Sequence, residues 1–223
     1  DQKRGVQHIL KAGKHLLQLI NEVLEIARIE AGRQNFSLEP VRLRGVLQEA
    51  VGLVRPLAAQ RGVELDDGPW ANGEAFVRAD RQRMVQVLLN LLSNAVKYNR
   101  PGGRVKLSCA LDGAGANAKL TIRIEDTGRG IPLDRQEELF TPFARLGAEQ
   151  TEVEGTGLGL ALSQRLAEAM GGALSLERST PDGTVFRLEM GAATDPVGTF
   201  EEAAVAQPHL DEVAHSEAIL LYI

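Results

Sequence analysis

The chain has 223 residues, 43% of them hydrophobic and 25% charged, with a formal net charge of −5. That balance belongs to a globular domain with one sizeable core, and the acidic sign, with no Lys/Arg-rich run, argues against a nucleic-acid surface. A single cysteine, Cys109, excludes an internal disulfide and suits a reducing, cytoplasmic setting, and no segment approaches the ~20 apolar residues that span a bilayer. With Asp at position 1 and an apolar run at the end, both ends read as cuts, so any membrane anchor of a longer parent is expected outside this chain.

The first thirty residues read as one helix: Val6, Leu10, Gly13, Leu17, Ile20, Leu24 and Ala27 recur in steps of four and three, and Ile9, Leu16 and Val23 widen the stripe. Gly32 is the stop signal. An apolar face so wide belongs in a helix bundle and needs partners. Next, Phe36 to Glu39 alternate before Pro40, as in a short edge strand. A helix follows from about Leu43 to Gln60, which Pro56 should kink or end early. Strands near Val63–Leu65 and Ala75–Arg78 are separated by turns at Gly68-Pro69 and Asn72-Gly73. Asp80 is placed to cap a helix reaching about Tyr98, with Met84, Val87, Leu88, Leu91, Leu92 and Ala95 on its buried face.

Alternating strands Arg104–Leu111 and Lys119–Glu125, joined by the small polar loop from Asp112 to Ala118, make a hairpin, with Cys109 as a small buried hydrophobe. The irregular stretch from Thr127 to Gly157, with one short helix near Asp134–Leu139, has the length of a functional lid. A helix from Leu158 to Met170 ends at Gly171-Gly172, and strands Ala173–Glu177 and Thr184–Met190 close the domain. Residues 191 to about 215 read as a linker, and Ala218 to Ile223 as a buried strand without partners here.

Four clusters carry chemistry, each weak alone. Asn90, Asn94, Lys97 and Tyr98 share one broad side of their helix; amide oxygens suit magnesium and a lysine suits phosphate, although two surface asparagines and a solvated lysine would look the same. Asp126-Thr127-Gly128-Arg129-Gly130-Ile131-Pro132 is either an ordinary turn or a strand-end acid with glycines that admit a flat ring. A carboxylate there would accept from the adenine amino group and reject guanine. Gly155-Thr156-Gly157-Leu158-Gly159-Leu160 opens a helix and presents N–H groups to phosphate, yet is neither a Rossmann fingerprint nor a P-loop. Phe140-Thr141-Pro142-Phe143-Ala144-Arg145 could anchor the lid and bring Arg145 to a phosphate, or simply fill a core.

In this order the four clusters resemble the N, G1, F and G2 boxes of the histidine kinase catalytic domain, at Asn90–Tyr98, Asp126–Gly130, Phe140–Arg145 and Gly155–Leu160, with Gly183-Thr184 as the family's final glycine-threonine. The resemblance covers about Phe36 to Met190. It implies an α+β, two-layer Bergerat ATP-binding fold: a mixed, mostly antiparallel sheet under helices, preceded by one long bundle helix. It implies ATP and Mg²⁺ as cofactors, with Asp126, a water and Thr184 reading adenine and Asn94, with Asn90 as second ligand or support, holding the metal. Lys97, Tyr98 and Arg145 would handle phosphates and ribose, Asn90, Lys97 and Arg145 acting in catalysis. The nucleotide set is completed by Gly128, Gly130, Ile131, Phe143 and the run Gly155, Thr156, Gly157, Leu158, Gly159 and Leu160.

Residues 1–32 resemble the second helix of the dimerisation and phosphotransfer hairpin, 33–191 the catalytic domain, 192–216 a linker, and 217–223 the first strand of a receiver domain, as in a hybrid kinase. The family's acceptor histidine, followed by an acid and Arg-Thr-Pro, is absent; His8, His15, His209 and His215 read as solvated or structural. The implied partners are that histidine on the parent's first helix, a receiver domain, and a second copy in the full-length dimer. Two rivals stand beside this reading. One is an ATP hydrolase of the same fold, as in gyrase, mismatch-repair and heat-shock ATPases, disfavoured because Asn90 occupies the position of their water-activating glutamate. The other is a nucleotide-sensing module without phosphotransfer.

Overall fold

The computed structural model describes residues 2–68, 75–113, 118–144 and 155–195, with the backbone alone at 2–4, 8 and 11. The heptad stripe forms α1, Gln2–Glu30, closed where Gly32 turns left-handed (φ 63°) and the Arg33 amide donates to the Arg28 carbonyl at 2.9 Å. Among the described residues one side of α1 meets the rest of the fold: Ile26 is buried and Leu19 and Ile29 pack beside it, whereas Leu10, Leu17 and Leu24 of the stripe stay exposed.

Strand β1 is Glu39–Arg42, a few residues later than its alternation suggested, and Pro40 lies inside it. Among the described residues it is an edge strand paired with β3 (Phe76–Ala79), where a missing N–H can face away from the ladder. Helix α2, Leu43–Arg61, runs past Pro56 to a left-handed Gly62, so the expected early end does not occur. Pro56 is on the exposed side, while Leu43, Val46, Leu47, Ala50, Val54 and Ala58 are buried; that packing outweighs one lost helical hydrogen bond.

Strand β2 (Glu64–Asp66) pairs parallel with β4 (Arg104–Asp112), and β4 pairs antiparallel with β5 (Lys119–Asp126). Helix α3, Arg81–Lys97, starts at Asp80, whose carboxylate accepts from the Gln82 and Arg83 amides at 3.1 and 3.2 Å. The short helix expected at 134–139 is a single 3-10 turn, Leu133–Arg135, followed by turns. Six residues close too few hydrogen bonds to repay helix nucleation, and buried Leu139 anchors the segment instead.

Helix α4 is Gly159–Ala169, and strands β6 (Ala173–Thr180) and β7 (Gly183–Ala193) follow. The sheet order is β1-β3-β7-β5-β4-β2 with β6 also on β7, antiparallel throughout except β2 with β4. Leu120, Ile122 and Ile124 of β5 and Leu188 of β7 are buried against Leu88, Leu91, Leu92 and Leu166 of the helices. On the opposite face Arg123 pairs with Glu177 at 2.8 Å and Arg178 with Glu125 at 3.0 Å. The result is a two-layer α+β sandwich preceded by one long helix. Strand β7 runs on to Ala193, pairing with β3, so the first residues read as linker belong to the sheet; the turns at Pro69 and Asn72-Gly73, Arg145, the rest of the linker from 196 and the terminal apolar run lie outside the described residues.

Candidate functional site

Helix α3 carries Asn90 and Asn94 one turn apart because its other side is committed to the core. Asn90 donates to Ser163 Oγ of α4 at 2.8 Å and accepts from Asn94 Nδ2 at 3.4 Å. That pairing uses the Asn94 nitrogen and leaves its amide oxygen for another partner. Helix α4 approaches so closely that a Cβ at Gly159 would lie 2.5 Å from Asn90 Oδ1, so a side chain there would displace the Asn90 amide. Lys97 and the capping residue Tyr98 end α3, and the Arg129 guanidinium lies 5.7 Å from the Tyr98 ring centroid.

Asp126 ends β5, beside Thr184 of β7. It is 8% exposed, and burial pushes its carboxyl up to about 6; hydrogen bonds from the Gly128 and Thr184 backbones hold it lower than burial alone would, and neighbouring Glu125 adds a further upward push. The loop after it presses against the end of β6: Gly130 has φ 68°, its missing Cβ would overlap the Thr180 carbonyl, and the Ile131 amide donates to Ser179 Oγ at 2.8 Å. Gln136 ties the lid back by donating to the Ile131 carbonyl at 3.0 Å.

These parts enclose a cavity of about 910 Å³, within the range of small-molecule sites. Of the residues the sequence singled out, Asn90, Asn94, Lys97, Tyr98, Asp126, Gly130 and Ile131 line it, together with Gly155, Thr156, Gly157, Gly159, Leu160 and Thr184. Three others do not. Gly128 packs under the Tyr98 carbonyl, and Leu158 is 1% exposed in the core. Phe143 is 61% exposed with φ 67°, and it meets the glycine loop through its amide, which donates to the Gly157 carbonyl at 3.0 Å; backbone contact, with no room for a Cβ at Gly157, replaces the expected ring contact. Arg145 lies outside the described residues.

The cavity also includes residues that sequence reasoning passed over. Arg129 sat inside a motif already read, and Ser179, Gln136 and Phe186 reach the cavity only through the fold. Gln18 and Glu22 of α1 line it as well, and Thr156 donates to Glu22 Oε2 at 2.7 Å. Nothing in the heptad pattern signals that contact.

Residues 79–194, more than half of the chain, match the family described as Histidine kinase-, DNA gyrase B-, and HSP90-like ATPase. The chain belongs to this family. Among curated members of the histidine kinase branch, the circadian input-output histidine kinase CikA of Synechococcus elongatus is 33% identical over 222 residues, covering 99% of this chain and 28% of that protein. The virulence sensor protein BvgS of Bordetella pertussis is 40% identical over 176 residues, 77% of this chain and 14% of that one. The matched part of this chain thus spans less than a third of the length of either. Full-length ShkA, solved with AMPPNP, superposes with a TM-score of 0.70 at 31% identity, covering 87% of this chain and 40% of ShkA. The catalytic domain of histidine kinase ThkA superposes at 0.58 with 26% identity, covering 71% of this chain and 96% of that domain.

In this histidine kinase-type ATP-binding domain the walls suit a nucleotide. The buried Asp126 carboxyl, the side-chain amides and Lys97 of α3, and glycines 155, 157 and 159, which add no side-chain bulk, all line the cavity. Among the described residues, no group of three or more His, Cys, Asp or Glu side chains is placed to hold a metal, and no helix is long and apolar enough to cross a membrane.

Proposed function

We propose that this chain binds Mg-ATP and acts as the catalytic domain of a two-component sensor histidine kinase, transferring the γ-phosphoryl group to a histidine that this sequence does not contain. The observation that carries the reading is convergence: residues of three sequence clusters, apart in the chain, line one cavity with the buried Asp126 among them, and Ala144 of the fourth cluster reaches it too. Asp126, as carboxylate, accepts from the adenine amino group, and Thr184 beside it supports the same edge of the ring. Lys97 neutralises phosphate charge as a point cation, with Arg145 and Tyr98 assisting at phosphate and ribose. Asn94, supported by Asn90, would hold Mg²⁺ through its amide oxygen, and the ion would supply charge neutralisation at the phosphates. The acceptor is a neutral imidazole, whose nitrogen forms the new P–N bond as the bond from phosphorus to ADP oxygen breaks. Asn90 stands where a water-activating glutamate would serve hydrolysis, and an amide has no useful basicity.

The proposed partners are the acceptor histidine on the parent kinase's first helix, a receiver domain and, in the full-length parent, a second copy; the proposed setting is cytoplasmic. The test uses γ-labelled ATP with this chain alone and with a separately made acceptor hairpin. Acid-labile label on the hairpin histidine, and little on this chain, is expected. Strong label on His8 or His15, or rapid phosphate release without any acceptor, would overturn it.

A further inference from the structure

Asp126, Thr184 and Ser179 form a row across three strands at the cavity floor. Asp126 pairs with Thr184 between β5 and β7, and Thr184 pairs with Ser179 between β7 and β6. All three line the cavity. Thr184 is 4% exposed, and its backbone N–H is engaged by Asp126, so within the row its side-chain hydroxyl is the group left to face a ligand.

The direction of that hydroxyl depends on Ser179. Ser179 Oγ accepts the Ile131 amide at 2.8 Å and lies 3.2 Å from Thr184 Oγ1, a contact in which either oxygen can donate. A hydroxyl that accepts a hydrogen bond becomes a stronger donor through polarisation. That makes Ser179 the stronger donor of the pair, and with Ser179 donating, the Thr184 proton is free for the cavity. The Ile131 amide is itself fixed, because Gly130 at φ 68° holds the loop against the Thr180 carbonyl.

We infer that Ser179 is a positioning residue for base selection: it orients the Thr184 hydroxyl as a donor beside the Asp126 acceptor, so that the floor matches adenine and rejects 6-oxopurines. Adenine offers an amino group and, next to it, an unprotonated ring nitrogen. Hypoxanthine and guanine offer an oxygen and an N–H at those two places, the reverse order. The inference rests on the reading of Asp126 as the adenine acceptor.

Calorimetry at pH 8 on the full chain, with Mg-ATP and Mg-ITP as probes, tests it. Ser179→Ala is expected to shrink the ITP-to-ATP ratio of Kd values by roughly five- to tenfold, the loss of about one oriented hydrogen bond, and to lower the thermal midpoint somewhat, because the Ile131 amide loses its acceptor. Ser179→Cys, close in shape with a weak donor, should shift the ratio the same way and keeps the test available should the alanine variant not fold. In a Thr184→Ala background the Ser179→Ala effect on the ratio should vanish, because the two act through one hydroxyl. Equal weakening of both nucleotides, or an effect that survives in that background, would reduce Ser179 to a loop anchor and overturn the inference. Asp126→Ala separates the two readings. If it collapses the ratio while Ser179→Ala does not, only the Ser179 role fails; if it leaves the ratio intact, the adenine reading fails and takes the inference with it.

Discussion

Asp126 shows most directly how one residue's environment sets conflicting demands. Its carboxyl titrates near 6 in the folded chain against 3.8 as a free side chain, because burial disfavours the charged form. Between those values the folded state holds more protons than the unfolded state, so stability falls as pH rises from 3.8 through 6. Above pH 6 the buried charge costs about 2–3 kcal/mol, yet the proposed contact with an adenine amino group needs that charge. Asp126→Asn should therefore raise the thermal midpoint at pH 8 by about 5 °C, with no such gain at pH 4, as read by scanning calorimetry. The same substitution should weaken Mg-ATP binding at pH 8 at least about tenfold. Wild-type affinity should fall as pH drops through 6. A midpoint unchanged at pH 8 would show that Asp126 is not strained by its burial.

At the scale of elements, the docking of α1 is the least expected feature. Its contact side is polar as well as apolar: Glu25 accepts from Arg83 and Gln86 of α3, Glu30 pairs with Arg165 of α4 at 3.4 Å, and Glu22 accepts from Thr156 in the glycine loop. Glu22 thus brings a carboxylate to the cavity proposed for a polyphosphate. Like charges at such range repel, more so when partly buried. Glu22→Gln should tighten Mg-ATP binding by roughly two- to fivefold while keeping an oxygen for Thr156, a change that isothermal titration would resolve. Weaker binding on that substitution would instead make Glu22 part of the cation site. Elsewhere on α3 the Asp80 cap satisfies two amides of the first turn and also accepts from the Ser37 amide at 3.2 Å. Asp80→Ala should cost about 1 kcal/mol or somewhat more in chemical unfolding, with nucleotide affinity unchanged.

The whole molecule is a device for bringing distant chain segments to one face of a sheet. The α3 side chains and the β5 end lie some thirty residues apart, and the glycine loop a further thirty, yet β7 between β5 and β6 draws Thr184 and Ser179 to the same floor. A ligand that bridges these segments should stabilise the fold as a unit by mass action. Mg-ATP at about a hundred times its Kd should add ~2.7 kcal/mol and lift the thermal midpoint by roughly 5–10 °C, and omission of Mg²⁺ should remove most of that shift.

Local pattern alone was enough for α1, α3, the β4–β5 hairpin and the Asp80 cap, because each follows from periodicity or from a side chain bonding its own neighbouring backbone. The polar clusters at Asn90, Asp126 and Gly155 were legible for the same reason: they are runs of residues whose types have little to do in a core. What the tertiary structure alone decided depends on contacts distant in sequence. Pro56 is tolerated because α2 packs on α3, β1 begins late because its register is set by β3, and the 134–139 segment yields to the burial of Leu139. Phe143 turns outward and Leu158 inward for a reason no local pattern holds: the space beside each is set by elements that arrive from elsewhere. Ser179 and Glu22 belong to the cavity through strand register and helix docking, neither of which leaves a mark in the residues around them.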